Sequence, residues 1–373
     1  MARKNGNGEG SRPRKRADGR WEARYWVETL TGRKRRSVYG SSSKEVADKL
    51  AEAMATREDE HRQILINITV RDFLAQYEEV AKDTMKRRSF ETYQDIARKH
   101  LLPSLGSLKL KDLTREHVQR MYSRKREQGL SAARVRRIHG VLSAALNKAV
   151  LWHLVSHNIC KEVSPPRVEA PEIKPLTKEQ ARRFLAAAEH DRYHAMYVVG
   201  LTTGMRLGEL GGLFWSDLDL YHQIVRVHRA LITGYGGQTL ESPKTPTSRR
   251  TITLTTKAVE ALQQHRECQR KAGMSVEGDA LVFTNTIGNY INPSHLVSRS
   301  LKPLLKHAGL PEINFHTATR HTCCCLMLEA GVNPKAVSLQ LGHSSVAFTL
   351  QKYAHYMPGM GDAAAGAMDK ALE

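Results

Sequence analysis

Residues 341–356 read LGHSSVAFTLQKYAHY. Gly342 reads as the end of one helix and SVAFTLQKYAH as the next. The turn between them carries His343, and the second helix carries Tyr353, with His355 and Tyr356 just beyond. A core tyrosine and a surface histidine would explain part of this. Two helices folded about a glycine also bring His343 and Tyr353 toward one place, which is how an imidazole and a phenol come to share a ligand.

The remainder of the chain indicates what that ligand is. At 373 residues, two to three domains are expected, taking about 150 residues per domain. Lys and Arg total 58 against 38 Asp and Glu, a formal charge of +20. Residues 1–40 alone hold twelve Lys/Arg and four Asp/Glu. Such a balance attracts polyanions, nucleic acid first and anionic membrane second. No run of about 18 apolar residues occurs, so no membrane span is expected. The basic start MARKNGNGEGSRPRKRADGR lacks the apolar stretch of a secretory signal. Cys323, Cys324 and Cys325 stand in succession. That spacing suits neither zinc nor a disulfide framework, and it reads as small buried apolar residues in a reducing cytoplasm.

Residues 1–19 are polar, glycine-rich and basic, and read as disordered. RWEARYWVETL then alternates, with Trp21, Ala23, Tyr25 and Val27 on one face and Glu22, Arg24, Trp26 and Glu28 on the other, a strand period. After the turn TGRK, RRSVYG reads as a second strand. A helix follows, with Ser42 and Glu45 as a capping box and Val46, Leu50 and Met54 as its stripe. Residues 68–153 carry four helical stripes, including Val70, Phe73, Leu74 and Tyr77, and later Val135, Ile138, Leu142 and Leu146. Their outer faces hold basic clusters at 86–88 and 134–137, suited to a duplex backbone. KEVSPPRVEAPEIKPLTKEQ, with four prolines, reads as a linker into a capping box at Thr177 and Gln180. Beyond it the chain is mostly helical, with strands in QIVRVHRALITGYGGQ and RRTITL. The expected fold class is mainly α with small β elements (α+β).

Four pieces of the C-terminal half hold cationic or nucleophilic groups. In TTGMRLGELGGLFWSDL, Arg206 starts a helix carrying Leu207, Leu210 and Leu213. A cation is unfavourable at the positive end of a helix dipole, so Glu209 or a bound phosphate must compensate. In ESPKTPTSRRTITL, Lys244 precedes a strand, with Arg249 and Arg250 close by. In FHTATRHTCCC, His316 and Arg320 lie about one helical turn apart. The fourth is the stretch with His343 and Tyr353. No HExxH, CxxC or GxxxxGK[ST] motif competes, so neither a metal nor a nucleotide cofactor is expected. Arginine forks suit phosphate oxygens, and a tyrosine hydroxyl can attack an activated phosphorus.

These pieces resemble the tyrosine recombinases, the integrases of phages and mobile elements. TGMRLGELGGLFWSDLD, HTATRHT and LGHSSVAFTLQKYAH carry the resemblance, in the family's order Arg, Lys, His-x-Arg, His, Tyr. It covers nearly the whole chain and implies four regions. Residues 1–64 would be an arm-type DNA-binding domain with a basic disordered start, and 65–165 a helical core-binding domain. Residues 166–175 would be a linker, and 176–373 the catalytic domain with a tail. The resemblance implies that Arg206 and Arg320 clamp the scissile phosphate. His316 and His343 would donate hydrogen bonds to it or handle protons, Lys244 would protonate the leaving 5′ oxygen, and Glu209 would orient Arg206. Tyr353 would attack phosphorus to give a 3′-phosphotyrosyl link. The pattern Thr349, Tyr353, His355 favours Tyr353 over its neighbour Tyr356. Implied partners are duplex DNA with core and arm sites, a homotetramer on that DNA with the tail docked on a neighbour, a host DNA-bending protein and an excision directionality factor. Localisation is expected in the bacterial cytoplasm or nucleoid, with no membrane partner.

One departure stands out. The family has His-x-x-Arg, and this chain has one more residue between His316 and Arg320, so Thr317 occupies the family histidine's position. Either the loop absorbs the residue or His316 is displaced. The added residue supports one alternative, a DNA-binding protein of the same fold with impaired catalysis; a second, a type IB topoisomerase-like strand transferase, would use the same chemistry.

Overall fold

A computed structural model describes residues 11–29, 32–168, 173–234, 237–241, 249–357 and 368–372, without the side chains of 27–29, 32–34, 55–66 and 355. The chain forms two units, residues 1–169 and 170–373. Lys244 lies outside the described residues.

The first unit opens with a three-stranded antiparallel sheet in the order β1 (Arg14–Lys15), β2 (Trp21–Thr29), β3 (Gly32–Gly40). Of residues 1–19, expected to be disordered, 1–10 lie outside the described residues, while Arg14 pairs with Glu22 and Lys15 with Trp21. The reason is Glu22: its carboxylate is buried and accepts from Arg24 Nε at 2.6 Å, Arg14 Nη2 at 3.2 Å and Ser37 Oγ at 3.2 Å. One carboxylate under several guanidiniums draws the basic leader into a third strand. Ala23 and Tyr25 are buried on the opposite face, as is Val46 of helix α1 (Ser43–Asn67). Ser42 caps α1 through Glu45 N, while the Glu45 carboxylate accepts from Ser41 N at 2.7 Å, one residue earlier than the expected box.

Four helical segments follow. They are α2 (Val70–Thr84), α3 (Arg87–Ile96) continued through a π turn (Ala97–Leu101) into α4 (Leu102–Leu105), α5 (Arg115–Glu127) and α6 (Ala132–Leu151). The predicted stripes are buried: Phe73, Leu74, Tyr77, Val118, Val135, Ile138, Leu142 and Leu146 share one cluster. Tyr93 satisfies its buried hydroxyl on the Leu74 carbonyl at 2.8 Å.

The second unit is built around α8 (His194–Thr203), preceded by α7 (Lys178–Ala187) with the Thr177–Gln180 box in place. Val198 and Val199 are poor helix formers, by up to about 0.7 kcal/mol each. Both are fully buried, which favours the fold by roughly 1.5–3 kcal/mol each, so packing decides the helix. α9 (Leu207–Gly211) is short, and Leu213 falls beyond it rather than inside it. β4 (Leu218–Asp219), β5 (Ile224–Val227) and β8 (Arg250–Thr253) form one antiparallel sheet, and β6 (Ala230–Gly234) and β7 (Gly237–Glu241) form a hairpin. α10 (Thr256–Lys271), α11 (Pro293–Leu296) and α12 (Lys302–His307) enclose the core, and α13 (Thr322–Glu329), α14 (Pro334–Leu341) and α15 (Val346–Tyr353) end it. Cys324, Cys325, Val337, Leu341 and Tyr353 form a separate cluster beneath that end. The three cysteines are free and buried, hence packing groups. The class is mainly α with small antiparallel sheets. Among the described residues, no helix is long and apolar enough to cross a membrane.

Candidate active site

Two left-handed glycines build the cationic half of the site. Gly204 ends α8 at φ +67°, and its carbonyl accepts from Arg320 Nη1 at 2.8 Å. Gly342 ends α14 at φ +66°, and its carbonyl accepts from Arg206 Nη2 at 3.4 Å. A side chain in this backbone region is strained, which is why glycine stands at both points. Arg320 is 2 % exposed, and its Nη2 has no hydrogen-bond partner among the described residues. A buried guanidinium N–H without a partner is costly, and an anion's oxygen is one group that would satisfy it. Burial, then the nearby Arg206, lower its pKa to about 10, so it stays protonated at neutral pH.

Glu209 is the hub beneath these arginines. Its Oε1 accepts from Arg206 Nη1 at 2.9 Å, and its Oε2 accepts from the Arg206 backbone N at 2.9 Å. Arg250 of β8 grips the same carboxylate through Nη2 at 2.9 Å and Nη1 at 3.2 Å, and donates through Nε to the Gln340 carbonyl at 2.6 Å. Burial opposes ionisation of Glu209 most strongly. The bonds and charges of Arg250 and Arg206 outweigh it and hold the carboxyl below its usual range. Sequence reasoning named Glu209 as the partner of Arg206 but missed Arg250, whose only signal was its place in RRTITL.

The other half of the site holds the rings. Tyr353, at the end of α15, is 1 % exposed, and its hydroxyl is hydrogen-bonded to His321 Nδ1. The His316 ring lies edge-on to His321, centroids 4.6 Å apart. The His343 ring runs parallel to Tyr353 at 6.5 Å, and its Nδ1 pairs with Thr349 Oγ1 at 2.7 Å. Burial, and then the charges of Arg320 and Arg206, push His316 down to about 4 and His343 to about 3. Burial, His316 and Lys352 bring His321 to about 4. All three imidazoles are therefore neutral at pH 7. Tyr356 is engaged elsewhere, donating to the Ile173 carbonyl at 3.1 Å. His321 was absent from the predicted set, although the sequence RHT placed it beside Arg320.

The helix widens across the segment that joins His316 to Arg320. Thr317–His321 form a π turn, with the Thr322 N–H reaching back five residues to the Thr317 carbonyl. A π turn is an α-helix with one residue inserted, and such bulges recur at functional sites. The wider turn keeps the His316 ring in contact with His321 while Arg320 faces Gly204.

The arginines gathered on Glu209 and the buried phenol among neutral imidazoles stand on a mainly helical fold whose relatives are DNA strand-transfer enzymes that act through tyrosine. Residues 174–359 match the phage integrase family, and residues 69–126 match the phage integrase N-terminal SAM-like domain. A tyrosine recombinase XerC-like protein of Caldanaerobacter subterraneus subsp. tengcongensis is 30 % identical over 348 residues, covering 87 % of this chain and 88 % of its own. The Tn1549 transposon integrase, solved with circular intermediate DNA, superposes with a TM-score of 0.68 at 25 % identity, over 82 % of this chain and all of that one. The lambda integrase tetramer bound to a Holliday junction shares the fold, with a TM-score of 0.59 at 20 % identity, over 90 % of this chain and 96 % of that one. The chain belongs to the phage integrase family, the tyrosine recombinases.

Proposed function

We propose that this chain is the integrase of a phage or mobile element, cutting and rejoining duplex DNA at paired attachment sites. Tyr353 Oη attacks the scissile phosphorus, the P–O5′ bond breaks, and a 3′-phosphotyrosyl link with a free 5′ hydroxyl results. The link conserves the energy of the phosphodiester, so the second strand joins without ATP. Arg206 and Arg320 hold the non-bridging oxygens and offset the charge that grows on them in the transition state. Glu209 orients Arg206. His343 and His316 donate to the phosphate or carry protons, and Lys244 protonates the leaving oxygen. One observation carries this reading: the unpartnered Nη2 of buried Arg320 lies in the unit that also buries the Tyr353 hydroxyl against an imidazole.

In this reading residues 1–64 hold arm-type DNA, 65–165 embrace the core site, 166–175 link, and 176–373 catalyse. Four protomers act on two duplexes, with the C-terminal tail docked on a neighbour, a host bending protein shaping the DNA and a directionality factor governing excision. The work is done in the bacterial cytoplasm or nucleoid. The π turn, which accommodates the added residue without unravelling the helix, weighs against a catalytically impaired protein.

The test uses nicked duplexes tiled from the DNA flanking the gene, in which the nick releases a short strand and traps the covalent step. The wild type forms a protein–DNA adduct on the duplex that contains the crossover point. Tyr353→Phe binds that duplex with unchanged affinity and forms none. An adduct from Tyr353→Phe assigns the nucleophile elsewhere, and no adduct from the wild type on any duplex sinks the recombinase reading.

A further inference from the structure

Tyr353 needs somewhere to send its proton. Phenols ionise near pH 10, and burial pushes this one higher still, so phenolate is scarce at neutral pH. Attack by the neutral hydroxyl is slow unless a positioned base takes the proton as the O–P bond forms. The roles implied by family resemblance leave that base unassigned between two histidines, His316 and His343.

The geometry points to a third residue: we propose that His321 is the general base that accepts the Tyr353 proton, an inference that rests on the recombinase reading above. His321 Nδ1 is hydrogen-bonded to the Tyr353 hydroxyl. His343 instead commits its Nδ1 to Thr349 and lies parallel to the phenol, ring over ring. His316 packs its ring edge-on against His321, one place further from the phenol. The groups facing His321 are His316 and Arg320 on its own turn, Lys352 and Tyr353 on α15, and His343 on the loop after α14. Burial first, with the nearby His316, Lys352 and Arg320, keeps the imidazole neutral. In the tautomer with its proton on Nε2, which acceptance of the phenol proton requires, Nδ1 presents its lone pair to the Tyr353 hydroxyl. Within the π turn successive residues serve different ends: Arg320 reaches the Gly204 carbonyl and His321 reaches Tyr353 on α15.

The step balances as follows. The Tyr353 O–H bond breaks and an N–H bond forms on His321 Nδ1. The phenolic electron pair forms the O–P bond while the P–O5′ bond breaks. The leaving oxygen takes its proton from a separate acid, the part given to Lys244. The imidazolium left behind is stabilised by the phosphodiester charge and returns its proton to the phenol when a 5′ hydroxyl displaces it.

His321→Asn tests this, because the Asn amide oxygen can still accept a hydrogen bond near the Nδ1 position yet cannot take a proton. On the flanking-DNA duplex that traps wild type, the full-length variant should bind with unchanged affinity. Its adduct should form about 10²–10⁴-fold more slowly at pH 7. Its rate should then climb about tenfold per pH unit from 7 to 9, where the wild-type rate is level, because hydroxide replaces the lost base. A duplex with sulfur in place of the scissile 5′ bridging oxygen, which needs no acid to leave, should not restore the rate. In the DNA-free protein, the His321 Nδ1 nitrogen resonance should sit at an acceptor position and move on Tyr353→Phe. An adduct rate equal to or above wild type overturns the proposal, since His321 would then only restrain the ring. So does a slowed rate with a pH profile parallel to wild type, rescue by the sulfur duplex, or an Nδ1 resonance indifferent to Tyr353. Tyr353→Phe tests the nucleophile alone, so the two readings fail separately.

Discussion

The three neutral imidazoles make the site a reservoir of pH sensitivity. His316, His321 and His343 have folded pKa values of about 4, 4 and 3, against the ordinary 6.5. In the window from pH 6.5 down to about 4 the unfolded chain binds more protons than the folded one. Stability therefore rises with pH there, is fully present above 6.5, and is lost as pH falls. Glu209 has the opposite chemistry and the same sign: its folded carboxyl is depressed below 4.5, so its contribution is lost only at lower pH. Urea midpoints at pH 7, 6 and 5 should fall in sequence for wild type. His343→Asn should flatten the decline, and a bound core-site duplex should flatten it too while leaving its onset near pH 6.5, because a phosphodiester offsets the Arg206 and Arg320 charges that help depress these rings and so raises their folded pKa values toward the unfolded one. A decline of equal steepness in the histidine variant would falsify the assignment. Glu209→Gln should cost about 3–5 kcal/mol at pH 7, as for breaking any buried ion pair from one side, since Arg206 and Arg250 keep their charge and lose its partner.

At the scale of elements, two glycine turns and one π turn decide where the arginines and rings point. Gly204 and Gly342 share the left-handed backbone, but their surroundings differ. A Cβ on Gly204 would meet Leu341 Cδ2 at 2.1 Å, inside a fully buried contact. A Cβ on Gly342 would meet the Arg250 guanidinium at 3.1 Å. The backbone penalty for alanine is about 1–2 kcal/mol at either site, and overpacking adds roughly 1–3 kcal/mol at Gly204 alone. Gly204→Ala should therefore be the more damaging by urea denaturation, and equal losses would show that the Leu341 contact relaxes freely. Of these elements, the glycine turn before His343 was legible in the sequence, because glycine after a periodic stretch has one common meaning. The π turn was not: a single inserted residue leaves the hydrophobic period almost intact, so FHTATRHT looked like a spacing fault. His321 was hidden because nothing in RHT shows that the residue after Arg320 meets the phenol 32 residues further on.

Across the whole molecule, the helical unit and the order of the cationic motifs were readable because burial imposes a period and because arginine and tyrosine chemistry is sparse. The third strand was not, since it depends on a buried carboxylate recruiting Arg14 from across the sheet, which no local pattern records. That same strand shows how the surplus of positive charge is organised. The sheet gathers Arg14, Arg16 and Arg24 around Glu22, and the helical unit leaves Arg136 and Arg137 exposed on α6. Charge held on rigid elements contacts phosphates in a fixed number, and each contact releases counterions, giving a log–log salt slope of about −0.9 per phosphate on duplex DNA. Binding to a duplex of unrelated sequence should thus weaken by about 10³-fold or more between 50 and 200 mM salt if six or more phosphates are engaged. Arg136→Gln with Arg137→Gln should weaken binding to related and unrelated duplexes alike and make the slope shallower by about 0.9 for each contact removed. The adduct rate on saturating core-site duplex should be unchanged, because both residues belong to the first unit and the groups around Tyr353 all belong to the second. A slope that stays the same in the double variant would mean that α6 faces away from the backbone. A nearly flat plot for wild type would mean that the charge of this chain serves something other than DNA.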